Sequence, residues 1–462
     1  MLEIKDFTLK SGENNILENI NLKIMDGECV LLTGESGSGK TSIINSINSL
    51  VFSYENLESS GSIKVDDKEI KNLELYETSL IISSVFQNPK THFFNVNTTL
   101  ELLFYLENIG LTREEMDVRM EEMLKIFPIE HLLGRSIFDL SGGEKQILCV
   151  SAAYISGCKI IVLDEPSANL DEKHIEIMKE MLQKLKSKKI TLILAEHRIY
   201  YLMDLVDKIY LVEKGSIKMR FTRKEFLELS DAKIIEWGLR AREKTKLKIS
   251  EIKQGKDLLI KEMKIRFKDN CELKLENIAF DLGKIYGIVG RNGCGKSNFF
   301  RVIIGLNKKD KSKIYMDGKE ISKKERLKHS SLVMQDVNHQ LFTNSVEEEL
   351  KLGIENISEE KIDEILNALG LIHLKERHPM SLSGGEKQRV AIGSVICKNS
   401  KIICFDEPTS GMDYNNMVKI SNLIKTMKKE DNIIFIISHD IEFLNITTDQ
   451  ILNLEKYNKY HG

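Results

Sequence analysis

The chain opens on an alternating pattern. Leu2 and Ile4, then Ile20, Leu22 and Ile24, fall on every second position, which predicts short half-buried strands, and a turn follows at Asp26-Gly27. The next run, Cys29-Val-Leu-Leu32, is apolar throughout and reads as a strand buried on both faces. Two later runs have the same character: Lys159-Ile-Ile-Val-Leu163, and Thr191-Leu-Ile-Leu-Ala195. Ahead of these two runs the period becomes helical. Met116, Met120, Met123, Leu124 and Phe127 recur behind Thr112-Arg-Glu-Glu115, a capping box, and the stripe predicts core packing.

The pattern then repeats. A shift of 256 residues lays Gly27 on Gly283, Gly34 on Gly290 and Lys40 on Lys296. Further on the offset settles at 242, which carries Leu140-Ser-Gly-Gly-Glu-Lys-Gln146 onto Leu382-Ser-Gly-Gly-Glu-Lys-Gln388 and His197 onto His439. Serine to aspartate is 23 residues in both halves, and glutamate to histidine is 32 in both. This is an internal duplication of one domain, with insertions confined to the stretch between glycine-rich loop and heptapeptide.

Each half carries phosphate chemistry. Gly34-Glu35-Ser36-Gly37-Ser38-Gly39-Lys40-Thr41 follows the buried strand directly and has the full P-loop spacing; Gly290-Arg291-Asn292-Gly293-Cys294-Gly295-Lys296-Ser297 is its second copy. Glycines let backbone N–H groups surround phosphates, the lysine reaches the β/γ oxygens, and the Thr41 or Ser297 hydroxyl is a Mg²⁺ ligand. A thiol at Cys294, among such donors, is expected to have some thiolate character. Ser141-Gly142-Gly143 and Ser383-Gly384-Gly385 are predicted to open helices, where a serine cap and the positive helix end make an anion site. Asp164-Glu165 and Asp406-Glu407 close apolar strands. There the aspartate is expected to hold Mg²⁺ and the glutamate to orient or polarise attacking water. Taken alone, Gln87 reads as a loop residue and His197 as a structural one.

Composition narrows the picture. The 462 residues are enough for two or three domains, and 67 basic against 70 acidic residues leave −3, which argues against a nucleic-acid or membrane footprint over the whole surface. Seven scattered cysteines without a CxxC pair point to reduced thiols in a cytosolic protein. The N-terminus lacks a basic-then-apolar signal region, and no apolar run approaches the roughly 18 residues that span a bilayer. Residues 213–264 hold 15 Lys/Arg against 9 Asp/Glu, centred on Arg240-Ala-Arg-Glu-Lys-Thr-Lys-Leu-Lys248. A solvated linker is the leading reading of that stretch; contact with lipid headgroups, RNA or a partner stays open. The domains expected are 1–240 and 258–462, joined by a basic linker at 241–257.

P-loop, Gln87, LSGGEKQ, the Asp164-Glu165 strand and His197, in this order, resemble the ATPase domain of the ABC superfamily, over nearly the whole chain and twice. The resemblance implies an α/β fold of two tandem P-loop NTPase domains, each with a mixed sheet core and a helical subdomain, binding ATP and Mg²⁺. It makes Gln87 and Gln335 links between Mg²⁺, water and the transporter contact, and gives His197 and His439 the γ-phosphate. Asp171 and Asp413 match the family's D-loop, in Ser167-Ala-Asn-Leu-Asp and Thr409-Ser-Gly-Met-Asp. The two halves are expected to close head to tail as an intramolecular pseudo-dimer, each ATP lying between one P-loop and the other half's Ser-Gly-Gly.

Two stretches narrow the family. Gln335-Asp-Val-Asn-His-Gln-Leu-Phe342, followed by Ser345-Val-Glu-Glu-Glu-Leu350, is similar to the glutamine loop of energy-coupling-factor (ECF) ATPases. Phe86-Gln-Asn-Pro-Lys-Thr-His-Phe-Phe94 echoes it, with His92 where glutamine is expected. Ala195-Glu-His-Arg198 and Trp237-Gly-Leu239 look like the fused members of that group. Neither half offers a tyrosine where these ATPases stack adenine, and the first heptapeptide is followed by Ile147 where the second has Arg389. The leading expectation is an importer's motor at the cytoplasmic face of the membrane. It would act through an integral scaffold and a substrate-capture protein, for a vitamin, a vitamin precursor or a metal ion. The tandem ATPase of a sugar importer, where one half commonly loses its glutamate, and an ABC-F ribosome-associated ATPase, with a long helical insert, are the other readings. Both glutamates are kept here, and Gly215, Gly238 and Gly255 argue against such a helix.

Overall fold

The strand Cys29–Thr33 is buried at every position, and its alternation divides it between two cores. Cys29 and Leu31 face one apolar cluster, Val30 and Leu32 the other. The strands Ile160–Asp164 and Thr191–Ala195 divide in the same way, Ile161 and Leu163 to one side, Ile160 and Val162 to the other. A run without polar residues is what such a central strand requires, since neither face meets water.

The computed structural model describes residues 1–54, 56–89, 92–168, 170–266, 271–354 and 356–460. Lys90, Thr91 and Asn169, in two of the stretches singled out above, lie outside the described residues. The chain forms two units: Met1–Lys244 with Asp413–Asn415, and Thr245–Met412 with Asn416–Gly462.

In the first unit the strands Ile82–Val85, Ile160–Asp164, Thr191–Ala195, Cys29–Thr33 and Lys208–Glu213 run parallel in that order, and Ser216–Thr222 adds an antiparallel edge. Leu2–Ser11, Asn14–Ile24 and Leu57–Val65 build a separate antiparallel sheet. The alternating residues predicted at the N-terminus, Leu2, Ile4, Ile20, Leu22 and Ile24, supply its buried face. The helices Thr98–Asn108, Arg113–Ile126 and Gly142–Ile155 pack together as a helical subdomain. Met123 and Phe127 are buried there, with Met116, Met120 and Leu124 partly so, and the Thr112–Glu115 box forms as read.

The second unit repeats the plan. Its parallel sheet runs Ser330–Val333, Ile402–Asp406, Ile433–Ile437, Lys284–Val289 and Gln450–Asn453, the same order as its counterpart. Leu258–Arg266, Cys271–Phe280, Lys313–Met316, Lys319–Glu320 and Asn458–Tyr460 form the antiparallel layer. The helices Val346–Lys351, Glu359–Ala368 and Gly384–Lys398 correspond to the first subdomain. These are two α/β P-loop units, each pairing a parallel sheet with an antiparallel layer and helices.

The basic stretch near 240–248 is tied down in part. Arg242 donates to the Phe226 and Leu227 carbonyls and to Asp231, and Lys244 pairs with Glu172 and Glu176. Between the helix Asp231–Glu236 and the strand Leu258–Arg266 there is no helix among the described residues.

Candidate active sites

Each phosphate loop leaves a central strand and turns into a helix, Lys40–Ile47 or Lys296–Ile303, whose N-cap is a glycine of positive φ, Gly39 at 108° and Gly295 at 101°. Gly34, at φ 151°, can only be glycine: a Cβ there would lie 2.1 Å from the Val212 carbonyl oxygen. The loop curls around its own lysine. Lys40 Nζ donates to the carbonyls of Gly34 at 3.0 Å and Glu35 at 2.8 Å, and Lys296 Nζ to those of Gly290 at 2.6 Å and Arg291 at 3.1 Å. Burial holds the Lys40 ammonium below its ordinary value, against the raising pull of Glu165 and Asp164.

The strand-end carboxylates face the loops. The Thr41 hydroxyl donates to Asp164 Oδ1 at 3.1 Å, and Ser297 to Asp406 Oδ2 at the same distance. Burial, reinforced by Glu165 beside it, pushes Asp164 up to about 6; Asp406 is raised too, again first by burial. Two neighbouring carboxylates withdrawn from water are what a hard divalent cation would stabilise. Among the described residues no group of three His, Cys, Asp or Glu side chains is placed to hold a metal ion. One carboxylate plus one hydroxyl therefore suits Mg²⁺, which keeps water and phosphate oxygens as its other ligands.

Glu165 and Glu407 occupy the left-handed region, φ 44° and 50°, and each amide donates back across the sheet, to Ala195 at 2.8 Å and Ile437 at 2.9 Å. Non-glycine residues rarely adopt this conformation, and it concentrates at functional sites. Gln87 Nε2 donates to Glu165 Oε2 at 2.7 Å; His197 Nε2 lies 3.3 Å from Glu165 Oε1 and 3.5 Å from Ser36 Oγ. In the second unit His439 Nε2 lies 3.6 Å from Glu407 Oε1 and 3.0 Å from Asn292 Oδ1. Loop, acidic pair and histidine thus converge in each unit, with Gln87 added in the first. Gln335 follows the strand Ser330–Val333 as Gln87 follows Ile82–Val85.

The two Ser-Gly-Gly triplets open helices, as read. Ser141 caps Gly142–Ile155 and Ser383 caps Gly384–Lys398, each in a reciprocal box with Glu144 or Glu386. His174 was not legible in the sequence. Its ring lies 2.4 Å from where a Cβ on Gly143 would stand, and its Nδ1 is 2.6 Å from Asp171 Oδ1.

One expectation fails. Cys294 is buried among apolar residues, and Gly290 passes so close that an added Cβ would meet its sulfur at 2.6 Å. Burial raises its thiol above the ordinary value, so the side chain belongs to the core and not to the anion face.

The family model described as ABC transporter matches residues 17–168 and again 273–410, over the loops and acidic strands just described. The chain belongs to the ABC transporter family. A Treponema denticola protein named as an ABC transporter ATP-binding protein is 38% identical over 458 residues, covering 97% of this chain and 94% of the relative. A Clostridium perfringens protein of the same description is 31% identical over 504 residues, covering 98% and 88%. In fold, this tandem ABC ATPase resembles the structure titled RNase-L Inhibitor, at TM-score 0.63 and 21% identity over 98% of this chain and 89% of that one. As an ABC ATPase it binds and hydrolyses ATP. No helix among its described residues is long and apolar enough to cross a membrane.

Proposed function

We propose that this ABC ATPase is the motor of an importer of the ECF type, working at the cytoplasmic face of a membrane through integral partners. The observation that carries the reading is a braced aromatic that both units have behind their glutamine. Phe94 is 77% exposed and Phe342 71%. Each is braced from below by a buried glutamate. Glu101 accepts the amides of Phe94 and Asn95, and Glu349 accepts those of Phe342 and Thr343. A buried carboxylate held by two backbone donors fixes such a loop, and the recurrence of the same braced, exposed aromatic in both units supports a contact with a partner. Lacking a spanning helix among its described residues, the chain would reach the membrane through that partner.

In the proposed reaction Lys40 and Lys296 balance charge on the β/γ oxygens, and Glu165 and Glu407 orient the attacking water. Gln87 and Gln335 align the glutamate and the metal, and His197 and His439 hold the γ-phosphate. When bound, Mg²⁺ would neutralise phosphate charge, held by Thr41 and Asp164 or by Ser297 and Asp406, with Gln87 and Gln335 at its edge. Both acidic pairs are intact, which favours two hydrolytic sites over the sugar-importer pattern with one.

Two phosphate loops and two Ser-Gly-Gly helix ends in one chain also support composite sites. Lys40, Thr41, Asp164 and Glu165 would share an ATP with Ser383-Gly384-Gly385, and Lys296, Ser297, Asp406 and Glu407 with Ser141-Gly142-Gly143. In a Glu165→Gln/Glu407→Gln background, Ser141→Arg should abolish photo-crosslinked nucleotide on the Lys296 peptide and spare the Lys40 peptide. The reverse pattern would remove the crosswise arrangement.

Membrane fractionation tests the importer reading. Phe94→Ser/Phe342→Ser should leave the membrane pellet while ATP binding persists. Equal pelleting with protein-free lipid vesicles would instead indicate direct attachment and overturn the reading.

A further inference from the structure

The two units tie their histidine segment to the loop behind the acidic pair with different carboxylates. In the first, Glu196 is buried and accepts four hydrogen bonds. Oε1 takes the amides of His197 at 2.8 Å and Arg198 at 3.0 Å; Oε2 takes the Ser167 amide at 3.2 Å and the Tyr201 hydroxyl at 3.0 Å. A carboxylate offers about four such positions, so all are used. Glutamine there would turn an NH₂ group toward donors.

The shift of 242 residues puts Ser438 at the place of Glu196, Asp440 at Arg198, Phe443 at Tyr201 and Thr409 at Ser167. The tyrosine hydroxyl is present where the glutamate is and missing where it is not. Asp440 Oδ2 now accepts the Thr409 hydroxyl at 3.3 Å, while Oδ1 caps the helix Ile441–Thr447. Arg198 cannot cap, and the corresponding segment is the short 3-10 turn Tyr200–Leu202. The histidine amides also part ways. That of His439 donates to Glu407 Oε2 at 3.2 Å, beside the Ser438 hydroxyl at 3.3 Å, whereas that of His197 goes to Glu196.

We propose that Glu196 is a positioning residue of the first site: its carboxylate gathers the His197 and Ser167 backbones at one point and so sets His197 against Glu165. The second unit meets the same need with Ser438 and Asp440. The inference rests on the reading that His197 and Glu165 act in hydrolysis. The two sites are then alike in their reacting groups and different in what holds them.

The test is steady-state ATP hydrolysis by the full chain, with Glu407→Gln in the parent and in every variant so that turnover reports the first site alone. Glu196→Gln should lower kcat at least about fivefold and keep KM within about twofold. The transplant Glu196→Ser/Arg198→Asp/Tyr201→Phe, which installs the second unit's arrangement, should return kcat to within about twofold of the parent. Added to His197→Ala, Glu196→Gln should cost nothing more, because it acts through that histidine. A transplant as slow as Glu196→Gln overturns the proposal, and so does an additive loss on the His197→Ala background. Parent-like kcat in Glu196→Gln with His197→Ala impaired also overturns it, whereas parent-like kcat in His197→Ala overturns the reading beneath. Should Glu196→Gln fail to fold, Tyr201→Phe, which removes one donor and no charge, takes its place. Lowered kcat at unchanged KM is then expected, and parent-like kcat overturns the proposal.

Discussion

Gln87 donates its side-chain amide to Glu165 at 2.7 Å, while Glu165 is held in a left-handed backbone conformation by its own amide bond to Ala195. The carboxylate is therefore aimed by two constraints, one on its tip and one on its backbone. Glu407 has the same backbone setting, with φ 50° and a bond to Ile437. Replacing either glutamate by glutamine keeps size and backbone but removes the charge. Turnover, measured as phosphate release, should fall by about half in each single variant, the other site still working, and at least about tenfold in the double variant, since one such interaction commonly contributes 2–4 kcal/mol. A double variant hydrolysing ATP at the parent rate would remove both residues from the mechanism.

The two Ser-Gly-Gly helices differ in how tightly their second glycine is confined. A methyl on Gly143 would strike the His174 ring, itself held by Asp171, whereas the nearest atom to one on Gly385 is Arg389 Nη1 at 3.8 Å. Without nucleotide, Gly143→Ala should lower unfolding free energy by about 1–3 kcal/mol, the usual range for overpacking. Gly385→Ala should be close to neutral. Comparing the urea midpoints of the two variants checks this, and equal midpoints would contradict it.

Much of this was legible in the sequence because it rests on short-range rules. The parallel strands announce themselves as uninterrupted apolar runs, and the helix starts as serine or threonine followed by glutamate three residues on. The phosphate loops follow from glycine spacing. What was not legible depends on tertiary proximity. His174 lies 31 positions from Gly143 in the chain, and only the fold brings its ring over that glycine. Glu101 and Glu349 read as ordinary residues of acidic helices until their carboxylates are found beneath the Phe94 and Phe342 amides. Glu196 stood in plain view beside His197, yet its four bonds reach Ser167 and Tyr201 as well. Cys294 departs from its expectation because spacing places a residue in a loop without saying which way its side chain turns.

Asp310 and Arg326 form a second feature that no motif announces. Their side chains are each 1% exposed and meet at 2.6 Å, with the Ser312 amide on the other carboxylate oxygen at 2.7 Å. Truncating one partner leaves a charge buried without its counterion. Asp310→Ala should therefore destabilise the second unit by about 3–5 kcal/mol, and Asp310→Leu/Arg326→Met should regain most of that loss. Urea unfolding followed by hydrogen exchange on peptides of residues 258–460 would show both. A double variant as unstable as the single one would mean the pair contributes more than mutual neutralisation.

The buried thiol gives the clearest dependence on pH. Alkylation needs thiolate, and burial raises the Cys294 thiol above its ordinary value of 9.0 despite the lowering pull of Lys296. At pH 8 the folded protein should thus alkylate at Cys294 more slowly with iodoacetamide than the urea-unfolded chain does, by at least about tenfold, since access is lost along with ionisation. The sign for stability follows. The unfolded chain releases this proton first as pH climbs past about 9, so the folded state loses stability there and gains none below it. Bound ATP should change the alkylation rate little, because the sulfur faces Gly290 and the core. Peptide mass spectrometry of timed samples reads the rate directly. Rapid alkylation at pH 8 that ATP blocks would return Cys294 to the anion face of the loop.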